Sequence, residues 1–233
     1  MTSEEIPVLT VDGPSGSGKG TIVQRVAQKL GWHMLDSGAL YRLVAFGSQK
    51  NNISLDDEAA IADYAAGLDV EFKLVEQQPG NANSQELQII LEGKLVGPEL
   101  RTETTGNAAS KVAAMPKVRE ALLQRQRDFC QQPGLVADGR DMGTTVFPAA
   151  RAKIYLTASA EERAQRRYKQ LKDKGISANL AALLQDINER DTRDSQRSAS
   201  PLKPAEDAVI IDTSDLSIDQ VVEKVLAVCE SRF

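Results

Sequence analysis

The residues from Gly13 to Thr21 have the types and the spacing of a phosphate-binding loop. The segment fits the pattern GxxxxGK up to Lys19, with a glycine at position 20 and the next hydroxyl group at Thr21. Glycines let consecutive backbone N–H groups turn toward one anion, and a lysine adds a positive charge beside them. The loop therefore predicts a polyphosphate ligand, bound by Gly13, Pro14, Ser15, Gly16, Ser17, Gly18, Lys19, Gly20 and Thr21.

A glycine-rich turn without a ligand is the alternative interpretation of this loop. The β-prone run Val8 to Asp12 precedes it and a helical pattern follows it to Leu30, and these flanking elements favour nucleotide binding. A GTPase switch would also carry an NKxD element, whereas the nearest run, 188–191, reads Asn-Glu-Arg-Asp. The position of the hydroxyl at Thr21 leaves open which side chain, if any, contacts Mg²⁺ directly.

Three further segments combine arginine with aspartate. They read Asp-Ser-Gly-Ala-Leu-Tyr-Arg over 36–42, Asp-Gly-Arg-Asp-Met-Gly-Thr over 138–144 and Glu-Arg-Asp-Thr-Arg-Asp over 189–194. On a helix, Arg190, Arg193, Asp194 and Arg197 would share one face. A solvated charged face is the alternative, but three arginines with one acid favour an anion site. Guanidinium groups can orient and neutralise two phosphates, which is most of what phosphoryl transfer requires.

Strands and helices alternate along the chain, which predicts an α/β fold of the P-loop NTPase type with a parallel sheet flanked by helices. Ligands of such sheets bind at the carboxyl ends of the strands, where the polar segments after Asp12 and Ala137 would lie. We expect one domain over 1–233, with a small antiparallel β insert at about 69–104 and a lid at about 158–175. Trp32 to Leu35 reads as a buried strand.

Together the loop and the three arginine-containing segments resemble those of the bacterial cytidylate kinases, a family of nucleoside monophosphate kinases. The similarity extends over nearly the whole chain, including the insert. It implies transfer of the terminal phosphate of ATP to CMP or dCMP in pyrimidine nucleotide metabolism, with Mg²⁺ entering together with ATP and no direct metal ligand assigned. The only histidine is His33, but an acceptor phosphate is already ionised, so the reaction needs no general base.

The resemblance also implies a role for individual residues. Lys19, Arg140 and Arg190 would be catalytic, and Arg166 would bind ATP with the loop. The residues implied for CMP are Ser37, Arg42, Ser110, Arg119, Arg140, Asp141, Arg190, Asp194 and Arg197. Among these, Ser110, Arg119 and Asp141 would bind the cytosine edge and Asp194 a sugar hydroxyl.

For several residues, the sequence allows two different roles. Arg163, Arg166 and Arg167 would belong to the lid, or they form surface ion pairs with the nearby glutamates. Asp138 would take part in Mg²⁺ binding, or it caps a helix or pairs with Arg140. Tyr41 would flank the substrate or serve only in packing. Trp32 and His33 are expected in the core.

Composition sets limits on the function. The 233 residues carry 28 Lys and Arg against 33 Asp and Glu, a net charge of −5, which opposes binding to nucleic acid polymers or to anionic membranes. No apolar run reaches the roughly 20 residues of a membrane span, and the two cysteines suit neither a zinc site nor a redox pair. We expect a cytoplasmic monomer. A kinase for UMP or AMP, and a binding module that holds ATP without transfer, are the alternatives.

Overall fold

The computed structural model of the chain describes residues 6–76, 85–173 and 175–233. These residues form two compact units, one made of Met1–Ser37 with Leu123–Phe233 and the other of Gly38–Leu122. The expectation of a single domain with an insert at about 69–104 and a lid at about 158–175 stays a prediction.

The first unit contains a five-stranded parallel sheet in the order β2-β6-β1-β7-β8. The strands are β1 (Val8–Asp12), β2 (His33–Asp36), β6 (Leu135–Gly139), β7 (Ala152–Thr157) and β8 (Val209–Asp212). β1 pairs with β6 on one side and β7 on the other. All five of its residues are buried, as expected for a central strand covered on both faces. The predicted parallel α/β fold is therefore confirmed.

Helices of the first unit connect or follow these strands along the chain. They are α1 (Lys19–Leu30), α6 (Ala160–Asp173), α7 (Leu180–Gln196) and α8 (Ile218–Glu230). Asn179 caps α7, and Ser217 with Gln220 forms a capping box for α8. Apolar side chains of α1 and α8 join those of β1 and β7 in one buried core, which fixes α1 and the loop before it.

The second unit contains the predicted antiparallel sheet, with strands β3 (Val70–Glu76), β4 (Gln85–Leu91) and β5 (Lys94–Val96). Around it in the sequence lie α2 (Ser37–Lys50), α3 (Glu58–Ala66), a short 3₁₀ helix (Pro98–Arg101), α4 (Glu103–Val112) and α5 (Pro116–Arg127). The first residue of α2 and the last five of α5 belong to the first unit. The run Pro79-Gly80-Asn81, whose residue types predict a turn inside the insert, lies outside the described residues.

Apolar spacing in the sequence predicts one helical segment from Ser54 to Gly67 and another from Ala108 to Ala114, but capping residues place both helix starts elsewhere. α3 begins at Glu58, where Asp57 accepts the N–H of Ala60, and not at Ser54. α4 begins at Glu103, five residues before Ala108, because Thr102 caps it. A side-chain cap overrides the apolar spacing that suggested the other starts.

The prediction of a buried second strand was wrong. β2 lies at the edge of the sheet, and of its residues only Leu35 is buried. His33 is exposed, with its Nε2 atom 2.8 Å from the carbonyl oxygen of Gln132. Trp32 is partly buried and contacts Phe233 edge to face, with 5.4 Å between the ring centroids. An edge strand pairs on one side only, which its short apolar run could not indicate.

Within the described parts of the chain, none of the helices has the length and apolar character needed to cross a lipid bilayer.

Candidate active site

The glycine loop runs from the carboxyl end of β1 to the first turn of α1. Gly13 has φ = 149°, and a Cβ atom there would lie 2.1 Å from the carbonyl oxygen of Leu156 in β7. Glycine is thus the residue that lets the loop start against the neighbouring strand. The Ser17 hydroxyl donates to the Pro14 carbonyl oxygen at 3.0 Å and closes the turn. The geometry suits the predicted anion loop.

Lys19 is buried beside this loop, with 5% of its surface exposed. Its ammonium group donates to the Pro14 carbonyl oxygen at 2.7 Å and lies 3.4 Å from the Ser17 hydroxyl. Burial and then the charge of Arg140 lower the pKa of Lys19 to about 7. An anionic ligand would favour the charged form of this amine. Binding of a phosphate is therefore expected to be accompanied by protonation of Lys19.

Asp12, the last residue of β1, is a buried carboxylate beside the loop that the sequence reasoning did not single out. Its two carboxylate oxygens each accept a backbone N–H, from Met142 and from Gly143, both at 2.8 Å. Burial raises the pKa of Asp12 to about 6 even though these two bonds oppose the shift. The carboxylate thereby ties the strand before the glycine loop to the single-turn π helix (Met142–Val146) that follows Asp141.

Asp138 lies in β6 directly opposite Asp36 of β2. Burial raises its pKa to about 7, Lys19 opposes the shift and Asp36 adds to it. The carboxylate also faces the start of α1, since a Cβ atom on Gly20 would lie 3.8 Å from its Oδ2. Two like charges beside a phosphate loop are stabilised by a cation. Among the described residues, no cluster of three or more His, Cys, Asp or Glu side chains could hold a metal alone.

Two aspartates pair with three of the arginines that were predicted for the CMP site. Arg140 donates from Nε to Asp194 at 3.0 Å, and the Nε atom of Arg190 lies 4.0 Å from the same carboxylate oxygen. Arg197 donates from Nη2 to Asp141 at 3.3 Å, and both side chains are only 3% exposed. Burial opposes the charge of Arg140, but Asp194 and Asp138 raise its pKa overall. The structure thus brings five of the predicted residues into two charge clusters, one on Asp194 and one on Asp141, which meet at the consecutive residues Arg140 and Asp141 and are together called the arginine network.

The predicted helical stripe needs one correction. Arg190, Arg193 and Asp194 lie on α7, but Arg197 follows the helix with an extended backbone. Its Nε atom donates to the Ser200 carbonyl oxygen at 2.6 Å, so the turn after α7 orients this side chain. The sequence pattern continued past the helix end because arginine itself does not terminate a helix.

Ser37 begins α2 and is buried. Its hydroxyl donates to the side-chain oxygen of Gln126 in α5 at 2.7 Å, and Gln126 is itself almost fully buried. Nothing in the sequence singled out Gln126, since a glutamine within a polar helix carries no motif. It orients the hydroxyl that was predicted to bind the CMP phosphate.

The second unit holds three of the predicted ligands, Arg42, Ser110 and Arg119. Arg42 donates to the carbonyl oxygens of Leu100, at 2.8 Å, and Thr102, at 3.2 Å. Arg119 donates to the Ala113 carbonyl oxygen at 3.2 Å and lies over the ring of Tyr41, 5.8 Å from its centroid. Ser110 is buried in α4. Tyr41 is buried as well, so it packs against an arginine in addition to filling space.

The arginines of α6 differ from one another. Arg166 donates to the Thr213 hydroxyl at 3.0 Å and to its carbonyl oxygen at 2.6 Å, and Thr213 lies 3.4 Å from the Ser17 carbonyl oxygen. Arg167 donates to Gln170 at the surface. Arg163 is buried and bonded to the glycine loop, which does not fit the expectation of a side chain that closes from a lid. Arg166 also makes the ion pair that was its alternative interpretation, with 3.1 Å between its Nε atom and Oε1 of Glu162. The lid role of Arg166 and Arg167 stays a prediction.

Comparisons with known proteins identify the family of this chain. The sequence pattern of the family described as cytidylate kinase matches residues 9–231. The cytidylate kinase of Aeromonas salmonicida (strain A449) is 56% identical over 97% of this chain and 95% of its own. The cytidylate kinase of Shewanella baltica (strain OS155) is 59% identical over 94% and 93%.

Solved structures resemble the chain less closely. A gluconokinase from Sinorhizobium meliloti 1021 is 16% identical, with a TM-score of 0.46 over 97% of this chain and 93% of its own. A shikimate kinase from Bacteroides thetaiotaomicron is 11% identical, with a TM-score of 0.44 over 97% and 99%. At these identities and TM-scores, the resemblance does not indicate a function. The sequence matches, by their extent and identity, show that the chain belongs to the cytidylate kinase family and is a phosphotransferase.

Proposed function

We propose that the enzyme transfers the terminal phosphate of ATP to CMP and dCMP, forming ADP with CDP or dCDP. The names of its relatives support CMP as acceptor. The observation that carries the proposal is the joint presence, in one unit, of a glycine loop with a buried lysine and of an arginine network built on Asp141 and Asp194. Loop and network provide separate means of binding a donor and an acceptor phosphate.

The donor end is the loop from Gly13 to Thr21. Its backbone N–H groups and the positive end of α1 would bind the phosphates of ATP, and Lys19 would leave the Pro14 carbonyl oxygen to contact them. Arg166 lies beside the loop through Thr213 and would bind the nucleotide there. In the transition state the charge spreads over the moving oxygens, and Lys19 would stabilise it.

The acceptor end is the arginine network. Arg140, Arg190 and Arg197, with Ser37, would hold the CMP phosphate, and Arg42 is a further residue proposed for it. The acceptor oxygen is ionised near neutral pH, so positioning and charge neutralisation suffice without a general base. Arg140 and Arg190 both approach Asp194, so a phosphate near that carboxylate would meet two guanidinium groups.

Base selection rests on Asp141, Ser110 and Arg119 in this proposal. The Asp141 carboxylate would accept a hydrogen bond from the cytosine amino group, while Ser110 and Arg119 would donate to ring acceptors. Uracil presents an oxygen to that carboxylate, and a buried acceptor facing an acceptor is penalised. Asp194 would accept from a sugar hydroxyl in addition to holding Arg140.

Mg²⁺ fits the carboxylates at the edge of the sheet. Asp138, with Asp36 beside it, would hold the ion together with the phosphates of ATP, since Mg²⁺ in kinases commonly takes one or two carboxylates and completes its shell with phosphate and water. When bound, the ion neutralises phosphate charge. The expected cytoplasmic location, the monomeric state and the lid role of α6 stay predictions.

The test is an acceptor panel with the purified enzyme, ATP and Mg²⁺, following ADP formation. We expect turnover with CMP and dCMP and much weaker turnover with UMP and AMP. Equal rates with all four would contradict the base assignment and favour a broader monophosphate kinase. ATP binding with no CDP formed at saturating CMP would contradict the proposal itself.

A further inference from the structure

The side chain of Arg163, at the start of α6, makes five hydrogen bonds to other groups of the protein. Its side chain is 4% exposed. The Nε atom donates to the carbonyl oxygens of Ala158, at 3.1 Å, and Ser159, at 3.2 Å, while Nη1 and Nη2 donate to the two carboxylate oxygens of Asp191. Nη1 also donates to the carbonyl oxygen of Ser15 at 3.0 Å. A surface or lid arginine would not be held by so many bonds.

The bond to Ser15 determines how one peptide group of the glycine loop is turned. The Ser15–Gly16 peptide is trans, so its N–H points away from the side on which its carbonyl oxygen lies. With that oxygen bound to Arg163, the N–H of Gly16 points away from Arg163. The contact is close, because a Cβ atom on Gly16 would lie 3.2 Å from the Cβ atom of Arg163.

Asp191 fixes the guanidinium from the other side. It lies on α7 directly after Arg190 and one turn before Ser195, and it holds both terminal nitrogens of Arg163. Such a two-point pair restricts the rotation of a guanidinium group far more than a single bond does. The same helix carries Asp194, which binds Arg140. The orientation of a peptide in the donor loop thus depends on a carboxylate of the helix that holds the acceptor arginines.

We propose that Arg163 is a positioning residue for the donor nucleotide. It holds the Ser15 carbonyl oxygen so that the Gly16 N–H faces the phosphates of ATP, and Asp191 keeps Arg163 in this orientation. The inference rests on the proposed use of ATP as donor. It predicts that a substitution in the Arg163–Asp191 pair lowers kcat/KM for ATP and leaves the KM for CMP nearly unchanged.

The first experiment is steady-state kinetics on Arg163→Met, Arg163→Lys and Asp191→Asn. For Arg163→Met we expect kcat/KM for ATP to fall about 10-fold to 100-fold, the range that a misplaced binding group produces. We expect the KM for CMP at saturating ATP to change less than about threefold on the same grounds. Arg163→Lys should recover part of the loss, since an ammonium can still donate to Ser15.

The matched control is Arg25→Met. Arg25 also pairs with an aspartate, Asp219, but this pair is exposed, with side-chain exposures of 47% and 81%. Exposed pairs contribute little, so this variant should keep wild-type constants. A Tm measurement on every variant separates loss of stability from loss of ATP handling.

A double-mutant cycle tests the order of dependence. If Asp191 acts through Arg163, Asp191→Asn should lower kcat/KM for ATP in the wild type and add little in the Arg163→Met background. Asp191→Asn retains Arg163 and therefore remains informative if Arg163→Met does not fold.

The outcomes separate the two proposals. A wild-type enzyme that does not use ATP overturns the proposed function. An enzyme that uses ATP but whose Arg163→Lys and Asp191→Asn variants keep kcat/KM for ATP, or lose ATP and CMP constants equally, overturns the role of this pair. Fully additive effects in the cycle contradict the dependence of Arg163 on Asp191.

Discussion

The arginines proposed to bind CMP differ between the two units, since those of the first unit bond to carboxylates in addition to main-chain oxygens. In the first unit Arg140 and Arg197 donate to Asp194 and Asp141, which are themselves proposed ligands. In the second unit Arg42 and Arg119 donate to main-chain carbonyl oxygens. A carboxylate that holds an arginine can be changed by substitution, whereas a main-chain carbonyl remains. A substitution of Asp141 or Asp194 in the first unit should therefore also disturb the arginine that it holds. A substitution of Arg42 or Arg119 in the second unit should affect only the contacts of that residue.

The largest effect that the comparison predicts is at Lys19. In Lys19→Met we expect kcat to fall by about 10²-fold or more, because the transition-state charge loses a buried cation. The measurement is ADP formation at saturating ATP and CMP. Lys29→Met, at the exposed end of the same helix, is the control and should keep its activity. A loss below about threefold in Lys19→Met would contradict the catalytic role.

Asp141→Ala should show the spreading effect of the first unit. Removing the carboxylate takes away the proposed acceptor for the cytosine amino group and also leaves Arg197 without that partner. We expect the ratio of kcat/KM for CMP to that for UMP to fall by about 10-fold or more. Combined with Arg197→Met, the effect should be clearly non-additive. An unchanged CMP to UMP ratio would show that Asp141 does not read the base.

Arg119→Met should show a local effect in the second unit. Its orientation depends on the Ala113 carbonyl oxygen, so its loss leaves Arg42 held as before. We expect the KM for CMP to rise about tenfold, as for one lost charge-assisted hydrogen bond, with kcat changed less. Arg42→Met combined with Arg119→Met should give nearly additive free energies. Strong coupling between them would remove the contrast between the units.

The smallest predicted effect is on pH dependence. The pKa of Lys19 is about 7, and a bound phosphate raises it, so ATP binding above that pH takes up a proton. The Kd for metal-free ATP should then rise with pH between 7 and 9, by at most about tenfold per pH unit. Below pH 6, Lys19 is already protonated in the free enzyme, so it should add no pH dependence to the Kd. Calorimetric titration from pH 6 to 9 measures it. If Lys19 is the cause, the Lys19→Met variant should lack this slope.

The sequence was sufficient for the parallel sheet and the glycine loop because both depend on local patterns. β1 is a short apolar run, and the loop after it is identified by glycine spacing and by Lys19. The antiparallel β3, β4 and β5 were likewise indicated by alternation and turn residues. Such features are set by residues close to one another in the chain.

Features set by distant contacts could not be predicted. The edge position of β2 depends on the strand order, and the use of Asp12 depends on Met142 and Gly143, 130 and 131 residues further along. Gln126 and Asp191 matter through the groups they hold, Ser37 and Arg163, and neither pairing has a sequence signature. For Arg163, a run of arginines at a helix start suggested an exposed group, whereas its contact with Ser15 buries it.

The two hydrogen bonds of Asp12 limit how this protein can vary. Consecutive main-chain N–H groups, of Met142 and Gly143, reach one carboxylate, so the number of residues between the end of β6 and Met142 is fixed. A substitution at Arg140 or Asp141, the two residues between them, changes the site but keeps this spacing, whereas an inserted or deleted residue would place the wrong amides opposite Asp12. Engineering that lengthens this connection should therefore disturb the backbone at the end of the glycine-loop strand, which point substitutions there would leave in place.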